Sequence, residues 1–200
     1  MQEKERPYHH GDLKRVIIET ALDMLREERG WQFTLREVAR RAGVSHAAPY
    51  KHFPDKGALL TELALLGFAQ MRQELAAAIE SAPQNEVRRV FFAMAEAYVR
   101  FGVANPALYR LMFSADAGKI HDLYLSEIPM ATFGLLLAIL ERGQQQGVLR
   151  QRPVQGQAAA CWAQVHGFTL LSIDGLLLPE KVGDNAFEAA LTTLLEGLEG

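Results

Sequence analysis

A single cysteine, Cys161, stands in the 200 residues, so no disulfide can close within the chain and a reducing, cytoplasmic setting fits. No apolar run reaches the roughly eighteen residues of a membrane span without a charge or a breaker, so no transmembrane helix is expected. The first twenty residues lack the apolar core of a secretory signal, because Lys4, Arg6, His9, His10, Asp12, Lys14 and Arg15 fill them. Also missing are a glycine-rich phosphate loop, a nucleophile–base pair, paired carboxylates and a metal-ligand cluster. Neither an enzyme nor a metal or cofactor site is expected. Convincing period-two alternation, the mark of a half-buried strand, does not occur either.

What remains is helical periodicity along almost the whole chain, with 49% apolar residues to fill a core. The expected fold class is all-α, with about nine helices. A first helix is read from Asp12 to Glu28, presenting Leu13, Ile17, Ala21, Met24 and Leu25, with Gly30 as its stop. Short helices over Leu35–Ala42 and His46–Phe53 follow, then a long one from Pro54–Asp55 to about Ile79. Further helices are expected over Val87–Val103 and from Asn105–Pro106 to Phe113. Two more run over Lys119–Gln146, kinked by Pro129, and from Pro153 to about Leu177. The last covers Ala186–Leu198, capped by Asp184 or Asn185. The expected division is 1–57 and 58–200.

Charge is unevenly spread. Residues 1–60 balance to +2 and residues 61–200 to −5. Within 34–56 five basic residues (Arg36, Arg40, Arg41, Lys51, Lys56) face two acidic ones, with His46 and His52 added. Such a patch suits phosphates, and equally suits a solvated face.

Spacing sharpens that choice. Thr34 and Glu37 have capping-box spacing, flanked by Phe33 and Val38 as a hydrophobic staple. Gly43 can take the left-handed conformation that stops a helix. Ala39 is small enough for two helices to cross, Val44 can plug the crossing and Ser45 can cap the next helix. These are the needs of a helix-turn-helix whose second helix enters a DNA major groove. Pro49 is the misfit, since proline in a helix loses a hydrogen bond, here the one to the Ser45 carbonyl. A helical, slightly distorted segment is expected there. Tyr50 and Phe53 share a face; Phe53 reads as core, and Tyr50 as a ring that packs while its hydroxyl reaches a phosphate.

Residues 34–56, T-L-R-E-V-A-R-R-A-G-V-S-H-A-A-P-Y-K-H-F-P-D-K, resemble the TetR family of bacterial regulators over about the first 60 residues. The resemblance implies that Thr34, Tyr50, His52 and Lys56 meet phosphates, while Arg36, Ser45, His46, Ala47 and Ala48 face bases. Lys51 is counted among the DNA-binding residues. Lys56, near the start of the next helix, adds its charge to a positive dipole end.

Aromatics and methionines gather in the second half. They fill a helical core or line an adaptable pocket for an apolar molecule. Met71, Phe91, Met94, Tyr98, Tyr109, Met112, Phe113, Trp162 and His166 are the candidate ligand-binding residues. The stretch 105–113 and Trp162…His166-Gly167 resemble the TetR variant with a W-x-x-x-H-G motif, which implies ligand sensing without naming the ligand. Trp162 and His166, four apart, share a helix face; Gly167 is expected to allow close helix approach. Surplus apolar residues on the last two helices (Ala158, Ala159, Trp162, Val165; Phe187, Leu191, Leu194, Leu195, Leu198) suggest a four-helix homodimer interface. Gly67, midway along the long helix, admits two readings, a soft bending point or plain packing space.

The function expected is a ligand-responsive DNA-binding regulator, a repressor sooner than an activator. Its expected partners are a near-palindromic double-stranded operator, a second copy of itself and a small, largely apolar effector.

Overall fold

The structure, a computed structural model, describes residues 10–27, 30–118 and 120–199, leaving aside the side chains of residues 10–12 and 120–121. The helix ends expected at Glu28 and Lys119 lie outside the described residues.

Helices α1 (His10–Arg26), α2 (Leu35–Arg41), α3 (Lys56–Ser81), α4 (Val87–Ala104) and α5 (Pro106–Met112) follow one another, with a 3-10 turn at Pro49–Lys51. After a second 3-10 turn at Ala115–Ala117 come α6 (Ile120–Tyr124), α7 (Glu127–Gln145), α8 (Val154–Ile173), α9 (Pro179–Val182) and α10 (Ala186–Leu198). Extended pairing among the described residues is limited to one bridge, Leu149 with Glu199. The all-α class is thus observed. No described helix is long and apolar enough to cross a membrane.

Three expected elements differ. The segment 46–53 is not an α-helix. Pro49 has no N–H to give Ser45, and the Ser45 carbonyl instead accepts from Ala48 N–H at 2.9 Å, one residue tighter. The expected Lys119–Gln146 helix is two helices, broken at Leu125–Ser126, and Pro129 kinks nothing. It is the third residue of α7, in the first turn, where its missing N–H would have had no helical partner. Helix α8 stops at Ile173, not Leu177, because Gly175 takes φ +65° and Leu176 N–H returns to the Leu171 carbonyl.

The chain forms two compact units. The first comprises the described residues up to Gly67 with Ala107–Leu123. Its core takes Leu13, Ile17, Ala21 and Leu25 from α1, four of the five residues on the expected face, with Met24 only half-buried, against Leu35, Val38, Phe53, Leu59 and Leu63. Each buried Leu, Ile, Val or Phe among them contributes about 1.5–3 kcal/mol. Lys14 of α1 donates to Glu62 of α3 at 2.7 Å with its ammonium 5.8 Å from the Phe53 ring centre, an apolar stem under a charged tip.

The second unit holds Phe68–Pro106 and the residues from Tyr124 onward. Here α4, α7 and α8 pack on one another and α10 packs on α8. The backbone at Gly143 lies where a Cβ would stand 2.6 Å from Leu149, so the turn after α7 folds back tightly onto its own helix. Gln157, buried on α8, accepts from Gln144 Nε2 at 2.7 Å and donates to the Arg150 carbonyl at 3.1 Å, so this polar intrusion is satisfied.

Candidate nucleic-acid interface and aromatic centre

Helix α2 starts on a complete capping box. Thr34, extended at φ −105° and ψ 160°, accepts from Glu37 N–H at 3.2 Å, and Glu37 Oε2 accepts from Thr34 N–H at 2.7 Å. The Thr34 hydroxyl proton also points to Glu37 Oε2, at 2.9 Å. The helix ends on a Schellman turn. Gly43 at φ +69° lets its own N–H reach the Arg40 carbonyl while Val44 N–H reaches that of Ala39. Ala39 is fully buried, as a close crossing requires.

Beyond that turn the chain runs along the surface. Arg36, Ser45, His46, Ala47, Tyr50 and Lys51 are exposed, as is Thr34. Tyr50 is 50% exposed while Phe53, three residues on, is 3% exposed. The two aromatics therefore part company, one to solvent and one to the core. Ala48 and Pro49 are buried under the 3-10 turn, so Ala48 has no methyl to offer a base; it packs instead. Because the N-cap of that turn falls on Ala48, Ser45 does not serve as its cap.

His52 is half-buried, and its Nε2 is enclosed without a hydrogen-bond partner among the described residues. Lys56 opens α3 with its ammonium 5.8 Å over the Phe33 ring, at a helix end whose capping side chain is Asp55, which accepts from Ala58 N–H at 2.8 Å. Arg40 is exposed, whereas Arg41 is tied to Glu27. Two long-range tethers of the first unit had no signature in the sequence. Trp31 Nε1 donates to Asp116 at 2.9 Å, and Thr61 Oγ1 donates to the Ala117 carbonyl at 2.6 Å.

The nine candidate ligand residues fall into both units. Tyr109, Met112 and Phe113 belong to the first, where Tyr109 and Met112 are fully buried and Tyr109 and Phe113 pack ring on ring, 5.0 Å apart. Met71, Phe91, Met94, Tyr98, Trp162 and His166 belong to the second. Of these the structure brings three together at one point. Trp162 Nε1 donates to Tyr98 Oη at 3.3 Å, and His166 Nδ1 lies 3.3 Å from that same oxygen. Phe133 meets Trp162 edge-on, with ring centres 6.0 Å apart. Burial disfavours a charge on His166 and lowers its pKa below the ordinary imidazole value. Burial, with Tyr98 beside it, lifts the Tyr124 hydroxyl to about 12. Cys161, also on α8, is buried, and the same cause raises its thiol to about 12, which leaves it unreactive. No group of three His, Cys, Asp or Glu among the described residues could hold a metal ion.

Comparison with known families turns this geometry into an identity. Residues 17–63 match the model of bacterial regulatory proteins of the TetR family, and residues 91–194 match a tetracycline-repressor-like C-terminal domain. The chain belongs to the TetR family. Among solved structures, a Rhodococcus sp. RHA1 protein of unknown function is 34% identical, covers 98% of this regulator and 100% of its own chain, and superimposes with a TM-score of 0.81. The TetR-family transcriptional regulator PfmR of Thermus thermophilus is 25% identical over 92% of this regulator and 99% of its own chain, TM-score 0.64. A TetR-family transcription regulator of Marinobacter aquaeolei VT8 shares the fold at 17% identity, with 94% and 97% coverage and a TM-score of 0.70. No curated protein matches the chain. The regulator is therefore a transcription factor with a DNA-binding helix-turn-helix, and its helical second part is of the tetracycline-repressor type.

Proposed function

We propose that this regulator is a cytoplasmic repressor that grips a near-palindromic operator as a homodimer and lets go when a small, largely apolar effector binds. The single observation that carries the DNA reading is the exposed row Arg36, Ser45, His46, Ala47, Tyr50 and Lys51, delivered to solvent by a capped helix and a Schellman turn. Arg36, Ser45, His46 and Ala47 are assigned to bases, and Thr34, Tyr50, Lys51, His52 and Lys56 to phosphates. We assign DNA reading to residues 1–57 and sensing and dimerisation to 58–200, a division by role that cuts across the two compact units, since 58–67 and 107–123 belong to the unit of the reading head.

The proposed dimer face lies on α8 and α10. Gly156, Ala159, Ala160 and Ala163 on α8 are exposed, as are Ala189, Thr193 and Gly197 on α10. A Cβ added at Gly156, Gly167 or Gly197 would meet nothing. Gly167 therefore makes no close approach within one subunit, contrary to expectation. Between the two helices runs an apolar groove of about 460 Å³ lined by Phe168, Leu177, Val182 and Ala190. Small side chains and backbone in register suit two copies packing at close range. The effector site is assigned to the W-x-x-x-H pair, Trp162 and His166, with Tyr98; Met71, Phe91 and Met94, buried in the same unit, stay candidates for its lining.

A gel shift with the DNA upstream of the regulator's own gene tests the reading, since it requires retarded complexes of dimer stoichiometry. A chain that retards neither this DNA nor any other fragment at low salt would refute it.

A further inference from the structure

Two side chains one helical turn apart on α8 converge on a single oxygen of α4. Trp162 donates to Tyr98 Oη and His166 Nδ1 stands beside it, both at 3.3 Å. Aromatic rings flank the point: Phe133 stands against Trp162 at 6.0 Å and Trp162 against His166 at 5.9 Å, while Tyr124, which feels Tyr98, packs edge-on against Phe68 at 5.8 Å. Trp162 is 39% exposed and Tyr98 9%. The centre thus lies where the core gives way to solvent, and a molecule reaches Trp162 without crossing packed side chains.

None of the six residues brings a formal charge. Phe68, Phe133 and Trp162 cannot ionise, burial holds His166 toward its neutral form, and Tyr98 and Tyr124 are phenols, Tyr124 pushed up to about 12. The polar atoms are hydroxyl, imidazole and indole N–H, which exchange hydrogen bonds with another neutral group as readily as with each other.

We infer that this centre selects its effector by charge, taking an uncharged aromatic molecule with one hydrogen-bonding group, a phenol-like compound, and rejecting the carboxylate of the same shape. The inference rests on the reading of this cluster as the effector site. Aromatic edges and faces supply stacking and T-shaped partners for the effector's ring. Its hydroxyl joins the Tyr98 network at the oxygen on which the indole and imidazole nitrogens converge. A carboxylate would leave water for six side chains that offer it no cation, and an unpaired buried charge is far costlier than a hydroxyl with a partner.

Calorimetry on the full chain at pH 7.5 with 2-naphthol and 2-naphthoate tests this. Naphthol is expected to bind at least roughly tenfold tighter than naphthoate. Tyr98→Phe is expected to weaken naphthol by roughly tenfold, the worth of one net hydrogen bond, while leaving naphthoate almost unchanged. His166→Gln, which keeps a neutral hydrogen-bonding side chain, carries the same test should Tyr98→Phe fail to fold, with a smaller loss expected for naphthol. Naphthoate binding as tightly as naphthol, but sensitive to these substitutions, would overturn charge selection and leave the effector site standing. Naphthol binding untouched by both substitutions would place the effector elsewhere and overturn the site itself. Absence of naphthol binding would overturn the inference.

Discussion

A Cβ at Gly67 would stand 2.6 Å from the Sδ of Met112 and 2.8 Å from its Cγ, so α3 and α5 approach as closely as a missing side chain allows. Met112 is itself fully buried, so any shift of its side chain must be made against packed neighbours. Of the two roles open to Gly67, packing space is the one observed. Gly67→Ala is therefore expected to lose about 1–3 kcal/mol through overpacking, offset by up to about 1 kcal/mol of helix propensity. Gly167→Ala, with open space around its Cβ, is expected to leave the subunit fold as stable or more so. Denaturant unfolding of both variants checks the contrast; equal destabilisation would contradict it.

The DNA contacts are expected to separate by salt and sequence. Lys51→Ala and Lys56→Ala should weaken binding to operator and random DNA alike, each flattening the salt dependence by about one unit of slope per subunit. Arg36→Ala and His46→Ala should instead relax preference at particular base pairs, by about 1–3 kcal/mol where the contact is bidentate. Binding isotherms on both DNAs over a salt series provide the measurement. Identical losses for all four variants would remove Arg36 and His46 from base readout.

Dimerisation is expected to fail when charge enters the exposed faces of α8 and α10. Ala163→Glu with Thr193→Glu should give a folded monomer in sedimentation and a collapse of operator affinity, since half an operator remains in reach of each head. Leu191 and Leu195, natural choices on the helical periodicity, are only 2% and 1% exposed and sit in their own subunit's core. Leu191→Glu is expected to unfold the subunit. A dimer that survives the double substitution would move the interface off these faces.

Acid should loosen the centre around Tyr98. The folded state holds His166 at a lowered pKa, so below the ordinary imidazole value the unfolded chain takes up the proton first. The stability that neutral His166 contributes is complete above that value and falls as pH drops toward the folded pKa. His166→Gln should remove this part of the loss between pH 7 and pH 5. Thermal melts of the two proteins over that range decide it; parallel curves would show that His166 does not report the burial.

Effector and operator must also oppose one another by equal amounts. A repressor released by its effector has a coupling free energy of about 1–3 kcal/mol, and operator DNA must weaken effector binding by the same factor that effector weakens DNA binding. Calorimetry with and without operator measures it. Equal effector affinity in both titrations would end the release mechanism and leave DNA binding untouched.

Local grammar determined much of this regulator. The Thr34–Glu37 box, the Gly43 stop and the outward row after it depend on residues within a few positions of each other, and backbone hydrogen bonding leaves short segments little choice. The core stripe of α1 and the bounds of α10 follow from periodicity alone for the same reason. Pro49 was visible as a misfit, yet whether it would distort a helix or replace it depended on where the Ser45 carbonyl found a donor.

Tertiary structure decided what periodicity leaves degenerate. A helical face that is apolar reads the same whether it meets its own core or a second subunit, and packing alone sent Leu191 inward and left Ala163 outside. Trp162 and His166 shared a face in the sequence, but their common partner Tyr98 lies more than sixty residues away, on another helix. The same holds for Gly67 against Met112 and Trp31 against Asp116. Such contacts carry no local signal, because each residue is chosen to fit a neighbour that only the folded chain brings near.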